Sequence, residues 1–245
     1  MDRAAVRLAL GGGILFLALS AAVSAGRMDA TDRAVDDWVI DQFGPTLRRT
    51  EWSELSDPGQ AAVGLGVAGL GAFFALRAGA ARTAAILLAL TVASGVAVHA
   101  LKDAYDRGGP DRYRTFPVFG TGPDGEPVVV GEESRFVPPG PNSRAYPSGH
   151  TMVATAPWGL ALLLGTRAVR HTGGWDRAAV LLWAGVALAV GLNRIAIRSH
   201  YLSDVVASWA LGASIVALGV LADDRWGRRP SPVALPPGPP ADLAT

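Results

Sequence analysis

Six long apolar runs, separated by polar segments, organise this chain of 245 residues. They lie at Leu8–Ala25, Ala61–Leu76, Thr83–Leu101, Ser148–Gly165, Ala178–Leu192 and Val205–Leu221. A helix needs about 20 mainly apolar residues to cross a bilayer, within a range of roughly 17–25, so the second and fifth runs must include flanking residues. The pattern predicts an all-α, polytopic membrane bundle with about six transmembrane helices and a long extracytoplasmic loop. A soluble protein with this many buried helices is the alternative, and the short chain disfavours it.

Glycine, alanine and serine fill these runs, for example at Gly64–Ala72. Such small residues let helix backbones approach closely in lipid, where the hydrophobic effect does not drive helices together. We therefore expect tight helix–helix contacts at these positions.

The first apolar run has two interpretations. Arg3 and Arg7 precede it, and the small residues Val23-Ser24-Ala25 before Gly26 are typical of a signal-peptide cleavage site. Its apolar core of about 18 residues is long for a signal peptide and long enough for a span. We expect a retained transmembrane helix, with a cleaved signal as the alternative.

The segment Asp32–Phe43 has an amphipathic pattern. Val35, Trp38, Val39 and Phe43 fall on one helical face, with acidic residues elsewhere. This predicts a short helix at the membrane interface with Trp38 as its anchor. An ordinary helix packed on the bundle is the alternative.

The longest loop, Asp103–Tyr146, carries two short β-type runs. Phe116–Val118 and Val128–Val130 flank a turn-rich stretch at Gly120–Pro127, which predicts a hairpin. The chain beyond Arg229 is rich in proline and is expected to be disordered. We therefore expect one membrane domain over residues 1–229 and a tail over 230–245.

The composition of the chain limits which classes of partner and of site are expected. The net charge is +1, so there is no basic excess for nucleic acid, and no cysteine is present for disulfides or thiolate metal sites. Richness in Ala, Gly and Arg suggests a bacterial genome. Of the 22 basic residues only Lys102 is a lysine, which suggests a place where a compact ammonium has a specific use. Chance is the alternative.

The distribution of basic residues among the loops predicts the orientation of the bundle in the membrane. With a cytoplasmic N-terminus, the inner segments hold 10 basic and five acidic residues, against 12 basic and 16 acidic residues outside. The inner loops are the short ones, which the positive-inside rule weighs most. We expect both termini inside and the long loop outside the bacterial cytoplasmic membrane.

The tetrapeptide Pro147-Ser148-Gly149-His150 stands where the fourth apolar run begins. A helix N-terminus presents free N–H groups and positive dipole, which suits a phosphate. Gly149 permits close backbone approach, Ser148 adds a hydroxyl, and His150 can protonate a leaving oxygen. A serine helix cap beside an interfacial histidine is the alternative.

A second cluster is Arg194, His200 and Asp204. The four-residue step places His200 and Asp204 on one helical face, where the carboxylate can orient the ring and leave its other nitrogen as a nucleophile. Arg194 can bind a phosphate from the opposite side with its planar fork. An interfacial ion pair with a snorkelling arginine is the alternative.

These motifs resemble the type 2 phosphatidic acid phosphatase superfamily, which includes bacterial acid phosphatases and vanadium haloperoxidases. Its pattern is Lys-x6-Arg-Pro, Pro-Ser-Gly-His and Ser-Arg-x5-His-x3-Asp. The second element is complete here, and the third differs by Asn193 in place of serine. In the first, Lys102 and Pro110 fit, but Gly109 stands where arginine is expected, and Arg107 is the expected substitute.

The resemblance implies a metal-independent phosphatase without a cofactor, acting on a lipid phosphate or polyprenyl diphosphate. His200 would form a phosphohistidine, oriented by Asp204, and His150 would serve as the acid and then the base. The phosphate oxygens would be held by Lys102, Arg107, Ser148, Gly149 and Arg194.

Three other functions are compatible with these motifs. A vanadium haloperoxidase would use the same residues, but those enzymes are soluble. A transporter would carry charges in mid-span, whereas here they stand at span ends. A catalytically weakened member that binds lipid phosphates or acts as a scaffold is suggested by Gly109.

The charge pattern makes a topological prediction. A single cysteine engineered into Gly120–Gly125 should react with a membrane-impermeant maleimide on intact cells, because the long acidic loop is expected outside. A cysteine placed after Arg229 should react only after lysis. The opposite labelling would invert the assigned orientation.

Overall fold

The computed structural model describes residues 2–43, 53–122, 124, 126–138, 143–170 and 175–227. The expected tail over 230–245 lies outside the described residues. Within them, five helices are long and apolar enough to cross a membrane, and a sixth apolar helix is shorter. The predicted membrane bundle is confirmed, with one helix for each apolar run.

Seven α-helices, a 3₁₀ segment and a β-hairpin follow one another along the described chain. In order they are α1 Arg3–Ser24, α2 Asp29–Phe43, the 3₁₀ segment Ser53–Gly59, α3 Ala61–Arg77, α4 Ala81–Tyr105, β1 Arg112–Thr121, β2 Pro127–Val137, α5 Gly149–Arg170, α6 Arg177–Ala196 and α7 Leu202–Gly227. Helix α5 contains a π-helical turn at Leu160–Leu164.

Helix α1 packs along α7. A Cβ added at Gly12 would lie 2.5 Å from Ser214 Oγ and 2.6 Å from the Ala210 carbonyl oxygen, so the two backbones meet there. Near the other end of α1, the buried hydroxyls of Ser20 and Tyr146 are 2.7 Å apart. The first apolar run is thus built into the bundle as a full-length helix.

Glycines in the small-residue stretch of α3 divide between two faces. A side chain at Gly71 would meet Ala161 of α5 at 3.0 Å, and Gly64 faces Val153 more closely still. Gly66 and Gly69 have open space around them. The expected close contact therefore uses one stripe of α3, facing α5.

The loops differ in how well their patterns predicted them. The strands form the expected hairpin, longer than the two apolar runs and with an irregularity at Val118/Phe119. Helix α2 is present, but its contact face carries acids as well as Val39: Asp32 is 1% exposed, whereas Trp38 is 55% exposed. The reason is that Asp32 pairs with Arg107 and Asp36 pairs with Arg198, so these two acids of α2 face the bundle.

The contact between α1 and α7 predicts an unequal response of two adjacent glycines. Alanine is the better helix former, by about 1 kcal/mol. Gly12→Ala should nevertheless lower stability by roughly 1–3 kcal/mol, because its methyl group overlaps the Ala210 backbone. Gly11→Ala, which meets nothing within 4 Å, is the control and should be neutral or slightly stabilising. Thermal unfolding in detergent measures both, and equal shifts would contradict this packing.

Candidate active site

Four helix ends meet at one end of the bundle. They are the C-terminal ends of α4 and α6, which carry Lys102 and Arg194, and the N-terminal ends of α5 and α7, which carry His150 and Asp204. Lys102, Gly149 and His150 share one cavity wall. His150 also interacts electrostatically with Arg194, His200 and Lys102. The structure therefore brings the separate sequence motifs together.

His200 stands just before α7 begins at Leu202, with its Nδ1 3.5 Å from Asp204 Oδ2. This is longer than a good hydrogen bond, although the pairing of the two residues is the predicted one. Burial lowers the pKa of His200 despite the carboxylate beside it. A neutral imidazole whose Nδ1 faces Asp204 leaves Nε2 to act as a nucleophile.

Asp204 is fully buried and uses both carboxylate oxygens. Its Oδ2 accepts from the Tyr201 backbone N–H at 3.0 Å, and its Oδ1 accepts from Arg107 Nη1 at 2.9 Å. Its backbone carbonyl accepts from the Ser148 N–H at 3.1 Å, which joins the starts of α5 and α7. The residue that faces the histidine is thus fixed from three sides.

Ser148 is the N-cap of α5. Its hydroxyl oxygen accepts from Thr151 N at 3.4 Å and from Thr151 Oγ1 at 2.9 Å, and the residue is fully buried. The helix-cap interpretation thus describes its contacts. A Cβ at Gly149 would lie 3.9 Å from Lys102 Cε, so the lysine stem passes close to the helix N-terminus.

Two of the three cations expected to bind phosphate are held by neighbours from outside the motifs. Lys102 Nζ donates to the carbonyl oxygen of Arg144. Arg194 is 9% exposed and its Nη1 donates to Ser56 Oγ at 3.2 Å, in the 3₁₀ segment. Both cations are therefore placed beside the histidines before any substrate arrives.

Arg107 makes contacts that its predicted role as a phosphate ligand does not include. Its Nη1 donates to Ser203 Oγ at 2.7 Å as well as to Asp204, and its Nη2 donates to Asp32 Oδ2 at 2.7 Å. Burial alone would lower the pKa of Arg107, but Asp204 and Asp32 outweigh burial and raise it. The guanidinium thus binds two carboxylates, and its predicted contact with phosphate stays a prediction.

Asp32 and Gly59 are among the residues near the site that sequence reasoning missed. Asp32 of α2 reaches Arg107, and Gly59 of the 3₁₀ segment packs on α5, where an added Cβ would lie 2.7 Å from the His150 carbonyl oxygen. Neither belongs to a motif. The only available signal was the acidic composition of Asp29–Phe43, which does not distinguish one carboxylate from another.

A cavity of about 500 Å³ runs from these residues into the bundle between α3, α4 and α5. His99, Lys102 and His150 form its polar end, and Leu65, Val92, Val98, Met152, Val153 and Pro157 are among its apolar walls. No three His, Asp or Glu side chains in the described ranges are arranged to hold a metal ion.

Comparison with known proteins gives one family and one solved structure. The model of the PAP2 superfamily matches residues 83–228. The crystal structure described as the first transmembrane PAP2 type phosphatidylglycerolphosphate phosphatase, from Bacillus subtilis, superposes with a TM-score of 0.68. It is 18% identical, and the alignment covers 91% of this chain and 98% of that chain. The search of curated proteins finds no match.

The contacts of Arg107 predict its contribution to stability. Arg107→Met should destabilise the protein by about 3–5 kcal/mol, because it leaves the buried Asp32 and Asp204 without their shared cation. Arg144, whose side chain is 45% exposed, pairs with Asp103 and Asp106, and Arg144→Met should cost at most about 1 kcal/mol. Thermal unfolding in detergent compares the two. A smaller effect at Arg107 than at Arg144 would show that the buried network is not formed.

Proposed function

The chain belongs to the PAP2 superfamily, and from this membership we propose that it is a membrane phosphatase that hydrolyses a lipid phosphate or a polyprenyl diphosphate. One observation carries the proposal. Lys102 and His150 line the polar end of a cavity whose other walls are largely apolar, and His150 interacts electrostatically with Arg194 and His200. Polar chemistry at the mouth and apolar walls behind it suit a phosphate attached to a hydrocarbon chain.

In the first step, Nε2 of His200 attacks phosphorus and forms a P–N bond while the P–O bond to the leaving group breaks. His150 donates its proton to the departing oxygen. In the second step, His150 takes a proton from water, the water oxygen attacks phosphorus, and the P–N bond breaks. Free phosphate and neutral His200 result, so the site returns to its starting state.

Hydrogen-bond donors fixed by the fold stabilise the negative charge on the phosphoryl group during its transfer. We assign Lys102, Arg194 and the N–H groups at the start of α5, including that of Gly149, to its oxygens. The Ser148 hydroxyl accepts hydrogen bonds through its oxygen, so its own O–H is a candidate donor to a phosphate oxygen. Arg107 is assigned to Asp204 instead. This positive field supplies the stabilisation without a metal ion or cofactor.

The lipid assignment rests on the cavity. Its walls include Gly64 and Gly95, whose missing side chains leave room beside Val92 and Val153. On α4 the lining runs from Thr91 to Lys102, which is about 16 Å of helix. A chain lying there would place its phosphate at Lys102 and His150.

Sidedness follows from the distribution of charge. Arg77, Arg82, Arg167 and Arg170 stand at the helix ends opposite the site. The positive-inside rule places that end in the cytoplasm of a bacterium and the site on the extracytoplasmic face.

A second candidate function is lipid-phosphate binding without turnover. Gly109 removes an arginine that the family pattern expects, and the nearby Arg107 is occupied by carboxylates. Such a protein would bind the same lipids, so binding alone does not separate the two functions.

Release of inorganic phosphate separates them. Purified protein should release phosphate from at least one of phosphatidate, phosphatidylglycerophosphate and a polyprenyl diphosphate. His200→Ala should abolish release, whereas Asp204→Asn should keep a small residual rate, because the carboxylate orients the ring and does not attack. Binding without release by the wild type would favour the second candidate. Activity of His200→Ala within about tenfold of wild type would overturn the nucleophile assignment.

The donor set also predicts the inhibitors. Hydrolysis should continue in EDTA, because arginine, lysine and N–H donors offer no ion to chelate. Vanadate should inhibit it, because vanadate mimics five-coordinate phosphorus. The resistance to EDTA and the inhibition by vanadate are both measured by steady-state phosphate release. Loss of activity in EDTA with recovery on adding Mg²⁺ would require a metal in the reaction.

A further inference from the structure

Asp32 of α2 makes several buried polar contacts outside the motifs. Its Oδ1 accepts from the Ser203 backbone N–H at 2.9 Å, at the start of α7. Its Oδ2 accepts from Ser203 Oγ at 2.6 Å and from Arg107 Nη2 at 2.7 Å. The residue is 1% exposed, so this charge is removed from water and depends on these donors.

The chain of contacts continues to the histidine. Arg107 uses its other terminal nitrogen, Nη1, to bind Asp204 Oδ1 at 2.9 Å, and Asp204 Oδ2 faces His200. One guanidinium thus joins two buried carboxylates, each on a different helix. Because a planar guanidinium fixes the directions of its N–H groups, the position of Asp32 constrains that of Asp204.

We propose that Asp32 is a positioning residue of the active site, acting through Arg107 on the Asp204–His200 pair. The proposal rests on the proposed phosphatase function, in which that pair carries the nucleophile. Asp32 lies before residues 83–228, the part that matches the family model. Through Asp32, helix α2 then contributes a positioning residue to the site, although no motif lies in it.

A second ion pair gives α2 its register on the bundle. Asp36, one turn after Asp32, accepts from Arg198 Nε at 2.7 Å, in the turn between α6 and α7. Arg198 has φ of 53°, so the chain turns sharply beside His200. Two acids on one face of α2 therefore hold the segments on either side of the nucleophile.

Removing the Asp32 carboxylate should change the rate and not the affinity. Without it, Arg107 has one carboxylate partner fewer and can pair more closely with Asp204, which draws the Asp204 charge away from His200. The ring is then less well oriented for attack, while Lys102 and Arg194 still hold the phosphate. A loss in kcat with KM unchanged is the expected signature of a group that acts only on the transition state.

The test uses the full-length protein. It measures steady-state phosphate release from whichever of phosphatidate, phosphatidylglycerophosphate and polyprenyl diphosphate the wild type hydrolyses fastest. Asp32→Asn should lower kcat by roughly ten- to a hundredfold, the usual loss when an orienting partner of a site residue is removed. KM should stay within about twofold. Asp37→Asn, at an exposed position on the same helix, is the matched control and should match wild type. Equal kcat values for the two variants, or a rise in KM alone, would overturn the proposal.

Order of action is tested by combining Asp32→Asn with Arg107→Gln. If Asp32 acts through Arg107, the double variant should be no slower than Arg107→Gln alone, whereas independent roles would multiply the two losses. Should Asp32→Asn not fold, Ser203→Ala is the second variant, since its hydroxyl contacts both Arg107 and Asp32. It should lower kcat in the same direction, and an unchanged kcat would contradict the proposal. A wild type inactive on every lipid would refute the phosphatase function instead, so the two failures are distinguishable.

Discussion

Burial of the Asp204 carboxylate is the constraint on which the site depends. A charge with no solvent exposure is stable only when donors surround it, and each donor here fixes another part of the fold. Arg107 attaches the loop after α4, the Tyr201 N–H shapes the turn before α7, and His200 faces the remaining edge. The carboxylate that faces the histidine therefore also organises the segments around it. Asp32 extends the same network to α2.

Much of the architecture follows from composition and periodicity. Each apolar run became a helix, and the two motif-bearing halves met at one end because alternate spans run in opposite directions. The hairpin was signalled by apolar runs around a turn-rich stretch. These are local properties or consequences of crossing a bilayer, and a single sequence contains them.

Pairing between distant charges is what a single sequence does not contain. Asp29, Asp32, Asp36, Asp37 and Asp41 all lie within α2, and periodicity does not indicate which of them meets an arginine. The same limit applies to Arg107, which was expected on the phosphate because it stands near Gly109, whereas its contacts are with carboxylates. Gly59 was missed for a related reason, since its close approach to His150 depends on how the 3₁₀ segment packs on α5.

Covalent phosphorylation of His200 is the step on which the proposed mechanism depends, and the phosphorylated enzyme can be trapped. Purified protein would be mixed with lipid carrying a ³²P-labelled phosphate, quenched with alkali within the first turnover, and mapped by mass spectrometry. Label is expected on the peptide containing His200, stable to alkali and lost in acid, and absent from His200→Ala. Turnover with no labelled enzyme, or label on His150 instead, would contradict the proposed mechanism.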